Sequence, residues 1–311
     1  MSVEELKQLQ AEIIRKNKKC NKIGLIVFII LMVIPIIYFK IKKLPLGFLL
    51  ATTPFALLIH LFVVMYIKSK ANGKDIETFN KEYKNTFVLK SLNNIFEDIK
   101  YNPNNGFKEE YIEKTGMLDT GDSYSSNDYI SGKYKNIPFE QSDIHIMEKH
   151  EEENSDGETE TEWVTTFMGR VMIFDFNKNF KANVQVTSSY FSANTLPWSK
   201  KFTRVKMEDA EFNRNFMVFA ENEHEAFYIL TPHFMEKLKE ITKKLNCGVM
   251  FCFVDNKLHI AVDNYKDSFE YNVFNPINEK EIEESITRDI KLITNFVEEL
   301  DLDNDLFKQT N

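Results

Sequence analysis

Two uninterrupted apolar runs stand near the start of the chain. Residues 23–39 number 17 and carry no charge. As a helix they extend about 25 Å. That is slightly short of a hydrocarbon core of about 30 Å, a gap that snorkelling Lys22 and Lys40 close while Tyr38 suits the interface. Residues 44–67 number 24, are also free of formal charge, and cross with tilt, Pro54 after Thr52 and Thr53 predicting a kink. Only residues 40–43 separate the two, which forces a hairpin with a short outer loop. Before them, residues 1–22 read as an amphipathic helix: Ser2 and Glu5 have capping-box spacing and Leu6, Leu9 and Ile13 share a stripe.

Beyond the second span, residues 68–100 read as linker and helix. Asn72 and Gly73 predict an interruption, after which a stripe of Phe79, Tyr83, Phe87, Leu92, Ile95, Phe96 and Ile99 resumes at Asp75 and stops before Pro103. The period then changes to two. Runs at 129–134, 137–147, 163–176, 182–188 and 216–219 are rich in β-branched and aromatic residues and joined by short turns, which predicts an antiparallel meander or half-barrel. Thr231 with Pro232 opens a helix whose inward positions are Met235, Leu238, Ile241 and Leu245. Residues 248–254 and 258–262 form a hairpin turning at Asp255 and Asn256. Asn278 and Glu281 open a last helix with Ile282, Ile286, Ile290, Ile293, Val297 and Leu300 on one face. The order predicts an α+β domain over residues 101–311, an antiparallel sheet or half-barrel flanked by helices, behind an N-terminal two-helix transmembrane hairpin.

Charge divides the chain at the same place. Residues 1–74 carry 12 basic and three acidic residues, a net of +9, leaving 27 basic and 44 acidic, −17, for the rest. A domain that acidic lacks the basic footprint of a nucleic-acid binder. Eleven Lys or Arg flank the outer ends of the hairpin against three in its loop, which places the N-terminus and the domain on the cytoplasmic side of a plasma membrane. Three cysteines, Cys20, Cys247 and Cys252, do not make an extracellular disulfide framework. Glu148, Glu151, Glu152, Glu153, Asp156, Glu158, Glu160 and Glu162 form an acidic stretch, read as a mobile loop over 148–162 that solvates the tip or docks a basic partner.

Chemistry is sparser. Gly116 and Gly121 have phosphate-loop spacing, but Asp122 stands where a lysine must be. Cys247 and Cys252 lack the further ligands of a zinc site. Asp301, Asp303 and Asp305 imitate the start of a calcium loop, with Leu306 in the place of its glycine. Glu221, Glu223, His224 and Glu225 are the densest mixture of acid and imidazole, and His60 is an ionisable residue inside an apolar run, a candidate intramembrane polar contact. No catalytic, metal or cofactor set emerges.

Several segments are similar to a bacterial family catalogued only as a domain of unknown function. They are YNPNNGF from Tyr101, Tyr124 with Asp128, Tyr129, Ile130 and Gly132, Phe167 with Gly169, DFNKNF at 175–180, VKMEDAEFNRNF at 205–216 and EAFYILTPHFMEKL at 225–238. The resemblance covers roughly residues 20–265. It implies two N-terminal spans and a partner among LemA-type membrane proteins, and it brings no activity or catalytic residue. Phe227 replaces the arginine expected in many relatives.

These features together predict a membrane-anchored cytoplasmic interaction or scaffold domain that contacts the bilayer and self-associates through its spans or binds a LemA-type protein. The rival expectations are an enzyme acting on a membrane-proximal substrate through carboxylate and histidine groups, and a subunit of a transporter or channel.

Overall fold

A computed structural model describes residues 1–43, 47–153, 159–176, 179–191 and 196–302. The chain forms two compact units: Met1–Phe87 with Tyr271–Glu279, and Val88–Glu270 with the residues from Lys280 onward.

The first unit is built on two long helices, α1 (Val3–Ile41) and α2 (Gly47–Tyr83). α1 runs unbroken from the amphipathic segment through the first apolar run. Its start is a capping box: Ser2 Oγ accepts from the Glu5 amide at 3.2 Å, and Glu5 Oε2 accepts from the Ser2 amide at 2.7 Å. α2 passes through Asn72 and Gly73 without the predicted break. A helical glycine costs only about 1 kcal/mol, and Asn72 is buried there. The helices are antiparallel. The Met1 ammonium meets Glu82 at 3.2 Å, Lys16 meets Asp75 at 2.6 Å, and a Cβ on Gly24 would stand 2.4 Å from Val64 Cγ2. The absent side chain at Gly24 lets the helices close on each other. Residues Tyr271–Glu279 return to this pair: Gln10 Nε2 donates to the Val273 carbonyl at 2.8 Å, and Tyr271 stacks on Tyr83 with centroids 5.0 Å apart. Two helices, Val3–Ile41 and Thr53–Ile95, are long and apolar enough to cross a membrane. Residues 44–46, where the second span was predicted to begin, lie outside the described residues.

A π-helical turn at Lys84–Val88 leads to α3 (Leu89–Ile95), and with Val88 the second unit begins. The helix predicted to reach Ile99 stops at Ile95. Phe96 turns extended, and Glu97–Asn102 is a strand, β1, because residues 100–102 find partners at Tyr129–Ser131. Helix α4 (Glu109–Thr115) follows, then β2 (Ser123–Tyr134), β3 (Ile137–Glu153), β4 (Thr159–Asp175) and β5 (Val184–Ser188). After them come α5 (Pro197–Lys201), β6 (Thr203–Val205), α6 (Ala210–Asn215), β7 (Phe216–Ala220), α7 (Glu223–Ile229), α8 (Pro232–Leu245), β8 (Gly248–Val254), β9 (Lys257–Asp263) and α9 (Glu279–Glu299). Among the described residues, nine strands make one antiparallel sheet in the order β1-β2-β3-β4-β9-β8-β5-β7-β6.

Two of its hairpins turn on two residues, Lys135-Asn136 and Asp255-Asn256, all four at positive φ (49° to 64°). That is the turn whose twist matches paired strands. One face of the sheet carries α8 and α9, seen in the ring contacts of Phe253 with Phe234 and of Phe251 with Phe296. The other carries α4 and α5 over a core that includes Ile112, Ile144, Phe167, Val171, Trp198, Met250 and Cys252. The fold is a mixed helix and sheet architecture with an open antiparallel sheet.

Candidate functional site

The most concentrated buried chemistry of the second unit grows from an irregularity in β2. Its register with β3 runs from Ser123↔Met147 to Asn127↔Asp143, and the next pair is Ile130↔Gln141. Two residues, Asp128 and Tyr129, therefore oppose Ser142 alone, a β-bulge of the kind that re-aims a side chain. Asp128 takes φ 51° and is fully buried. Tyr101, on the neighbouring edge strand, donates its hydroxyl to Asp128 Oδ1, and Asn127 Nδ2 donates to Asp128 Oδ2 at 3.0 Å and to Asp267 Oδ1 at 3.1 Å. Burial beside Asp128 pushes the Tyr101 phenol far up, so it remains a donor.

Asp143 faces Arg170 directly across the β3–β4 ladder. Both are buried, and Arg170 Nε donates to Asp143 Oδ1 at 3.3 Å. The same guanidinium donates through Nη1 to the Asp289 carbonyl on α9 at 2.6 Å and lies 5.2 Å from the Phe269 ring centroid. The other oxygen of Asp143 accepts from the Ser268 amide, and the Phe269 amide donates to Asp289 Oδ2 at 3.2 Å. Burial pushes the Asp143 carboxyl up, while Arg170 and the Ser268 amide pull it back. The network thus ties the segment after β9 and the middle of α9 to the sheet. Oxygens of Asp128, Asp143 and Asp267 lie within 4.8 Å of one another, a spacing that suits a hard cation. Yet donors from Tyr101, Asn127, Ser268 and Arg170 already reach these carboxylates, so the arrangement is first a hydrogen-bonded charge network. Gln141, two residues from Asp143 and on the same face, is fully buried with neither side-chain atom bonded among the described residues.

The opposite face holds a second polar row. His259 pairs across strands with Cys252, and Cys252 with Gln185. His259 Nε2 shares a hydrogen bond with the Tyr111 hydroxyl at 2.8 Å, and burial holds the imidazole down at about 4. Burial pushes the Cys252 thiol far up, and burial with the nearby Asp263 carries Cys247 to about 11. Neither thiol is an activated nucleophile. A cleft of about 830 Å³ runs past Tyr190, Asn215, Glu236, Lys239 and Cys247. Lys239 is held there by Asp209, Glu211 and Glu236. Among the described residues, no nucleophile with an adjacent base opens onto this cleft.

The acidic stretch and the cluster at Glu221, Glu223, His224 and Glu225 belong to neither network. Glu151, Glu152 and Glu153 end β3 and Glu160 lies early in β4, all exposed, with Glu152↔Glu160 paired across the ribbon. The segment read as a loop over 148–162 is paired strand at 148–153 and 159–162, because the β3–β4 ladder continues past the core. Asp156 and Glu158 lie outside the described residues, as do Asp303 and Asp305. Asn222 caps α7, its Oδ1 accepting from the His224 amide at 2.9 Å. Glu221 and Glu225 accept from the Asn183 and Lys181 amides at 3.3 and 2.9 Å. Glu223 and His224 are exposed. Glu221 and Glu225 thus pin a neighbouring segment to a helix start, and none of the four side chains lines the cleft named above. His60 stands against Phe28 with ring centroids 5.0 Å apart, its Nδ1 buried and without a hydrogen bond among the described residues.

No curated protein and no solved structure matches the chain. Of the likeness expected over roughly residues 20–265, only the part from residue 165 onward is found, and it takes in Arg170, His259 and Asp267 while leaving out Tyr101, Asp128 and Asp143. From early β4 to the end of α9, residues 165–302 match the family described as "Protein of unknown function (DUF3137)".

Proposed function

We propose that the chain is a membrane-tethered binding protein: α1 and α2 cross the bilayer as a hairpin, and the α+β unit works by association rather than catalysis. The observation that carries this reading is the outer surface of the helix pair. Leu25 is 58% exposed and Phe62 72%, with Ile26, Ile29, Ile34, Phe55, Leu58 and Met65 also exposed around them. Only 6% of the most apolar window of α1 and none of that of the second helix is buried. A helix in a water-soluble core hides its apolar side chains, and an exposed girdle of this size is a lipid or partner surface. The eleven-to-three excess of basic residues at the outer ends supports a cytoplasmic domain in a bacterial plasma membrane. The resemblance noted above supports a LemA-type protein as the partner, with self-association through the spans as the other route.

Alkaline carbonate extraction tests the anchoring. The full chain stays with the membrane pellet, whereas a chain beginning at Val88 is released. Release of the full chain would contradict the reading. Cross-linking of the full chain in intact membranes tests association, and recovery of neither a copy of itself nor a membrane partner would count against it.

A further inference from the structure

We infer that the end of the helix pair nearest the chain start carries a binding collar for anionic phospholipid headgroups; this rests on the membrane-spanning reading above. No Asp or Glu occurs between residues 13 and 74. The contacts of Lys16 with Asp75 and of Gly24 with Val64 fix the antiparallel register. They bring residues 15–22 of α1 level with residues 66–74 of α2, just outside the apolar runs. Arg15, Lys18, Lys19, Lys22, Lys70 and Lys74 are exposed there. The acids that end this stretch, Glu12 and Asp75, are both engaged by Lys16 at 3.0 and 2.6 Å. Lys70 also stands over the exposed Tyr66 ring, 5.9 Å from its centroid, a pairing suited to the interfacial layer.

Charge and apolar surface are therefore stacked in the order that a phospholipid presents them. Ammonium and guanidinium groups lie at headgroup level, and Leu25, Ile26, Ile29, Phe62 and Met65 lie exposed along the level of the acyl chains. A basic cluster immediately beside a span attracts anionic lipid. The occupant is an acidic diacyl lipid of the leaflet at that end. A free anion would use the charges alone, whereas a diacyl lipid uses the charges and the adjoining apolar wall together.

The test uses the full chain in phosphatidylcholine bilayers with spin-labelled phosphatidylglycerol or spin-labelled phosphatidylcholine, comparing the motionally restricted fraction of each. Phosphatidylglycerol is favoured by about fivefold or more at low salt, the gain of a single lysine near an anionic surface. The preference falls toward one in high salt, where screening shortens to about 3 Å at 1 M. It falls likewise in the variant Lys18→Gln/Lys19→Gln/Lys22→Gln/Lys70→Gln/Lys74→Gln, which still restricts lipid. Equal restriction of both lipids by the native chain overturns the collar and leaves the anchoring intact. Absence of any restricted lipid overturns both. Loss of the preference on adding inorganic phosphate, with none on adding chloride at equal ionic strength, makes the cluster a free-anion site and overturns the lipid assignment.

Discussion

Arg170 holds together more separate pieces of the second unit than its position in the sequence suggests. It sits in an apolar β run, and a charge there is a visible signal, as is Asp143 within the run at 137–147. Their pairing is not visible, because it depends on the β3–β4 register. Asp128 is hidden more deeply, since only the bulge turns it inward. Replacing Arg170 with Met leaves Asp143 buried beside fewer donors and is expected to cost about 3–5 kcal/mol. The double variant Asp143→Asn/Arg170→Met loses less than the sum of the single changes. Both tryptophans lie in this unit, Trp198 at 2% exposure and Trp163 at 49%, so tryptophan fluorescence under denaturant reads its unfolding; additive losses would show that the pair is not coupled. His259 offers a pH test. Its imidazole titrates at about 4 in the fold against 6.5 as the ordinary value. Between those values the unfolded chain takes up a proton that the native state refuses, so stability falls as pH falls through this window. The slope reaches about 1.4 kcal/mol per pH unit, on the order of 3 kcal/mol in all. His259→Gln removes that component, and an unchanged slope in this variant would contradict the burial of a neutral imidazole.

At the scale of elements, local chemistry reads well where it is self-sufficient. Thr231 and Pro232 open α8, Asp255-Asn256 turns the β8–β9 hairpin, and the Ile282, Ile286, Ile290, Ile293 stripe of α9 is buried. Where an element depends on a remote partner, the sequence misleads. Ile99 continues the helical period yet lies in β1, because β2 offers a ladder. Gly73 suggests a break that the packing of α1 against α2 suppresses. The acidic segment has no apolar face, which makes it read as a loop, but backbone pairing alone carries β3 to Glu153 and starts β4 at Thr159. That part of the ribbon is exposed at residues 149–153 and 159–162. It sets Glu152 opposite Glu160 and His150 opposite Glu162, and Lys149 bridges to Glu151 at its surface. Replacing residues 151–160 with an Asn-Gly turn is therefore expected to leave the unfolding free energy within about 1 kcal/mol, or to raise it by relieving like charges. A larger loss would show that the tip supports the core. If the tip docks a basic partner, the same change weakens that complex and reduces its salt dependence.

On the scale of the molecule, composition marks two apolar runs ahead of an acidic remainder, whereas the chain divides after Phe87, with Tyr271–Glu279 joining the first unit. Strand order was not legible: β8 and β9, late in the chain, insert between β4 and β5, and nothing local encodes such a crossover. Nor was the return of Tyr271–Glu279 to the helix pair, which rests on single contacts such as Gln10 with the Val273 carbonyl. The central claim is that α1 and α2 form a transmembrane hairpin with the domain on the same side as the N-terminus. The most direct test is labelling of intact cells with a membrane-impermeant thiol reagent, against a low background because Cys20 and Cys252 are buried and Cys247 is partly so. The account predicts that a Lys42→Cys chain labels and that a Glu223→Cys chain labels only after the membrane is opened. Labelling of Glu223→Cys in intact cells, or protection of Lys42→Cys, would contradict it.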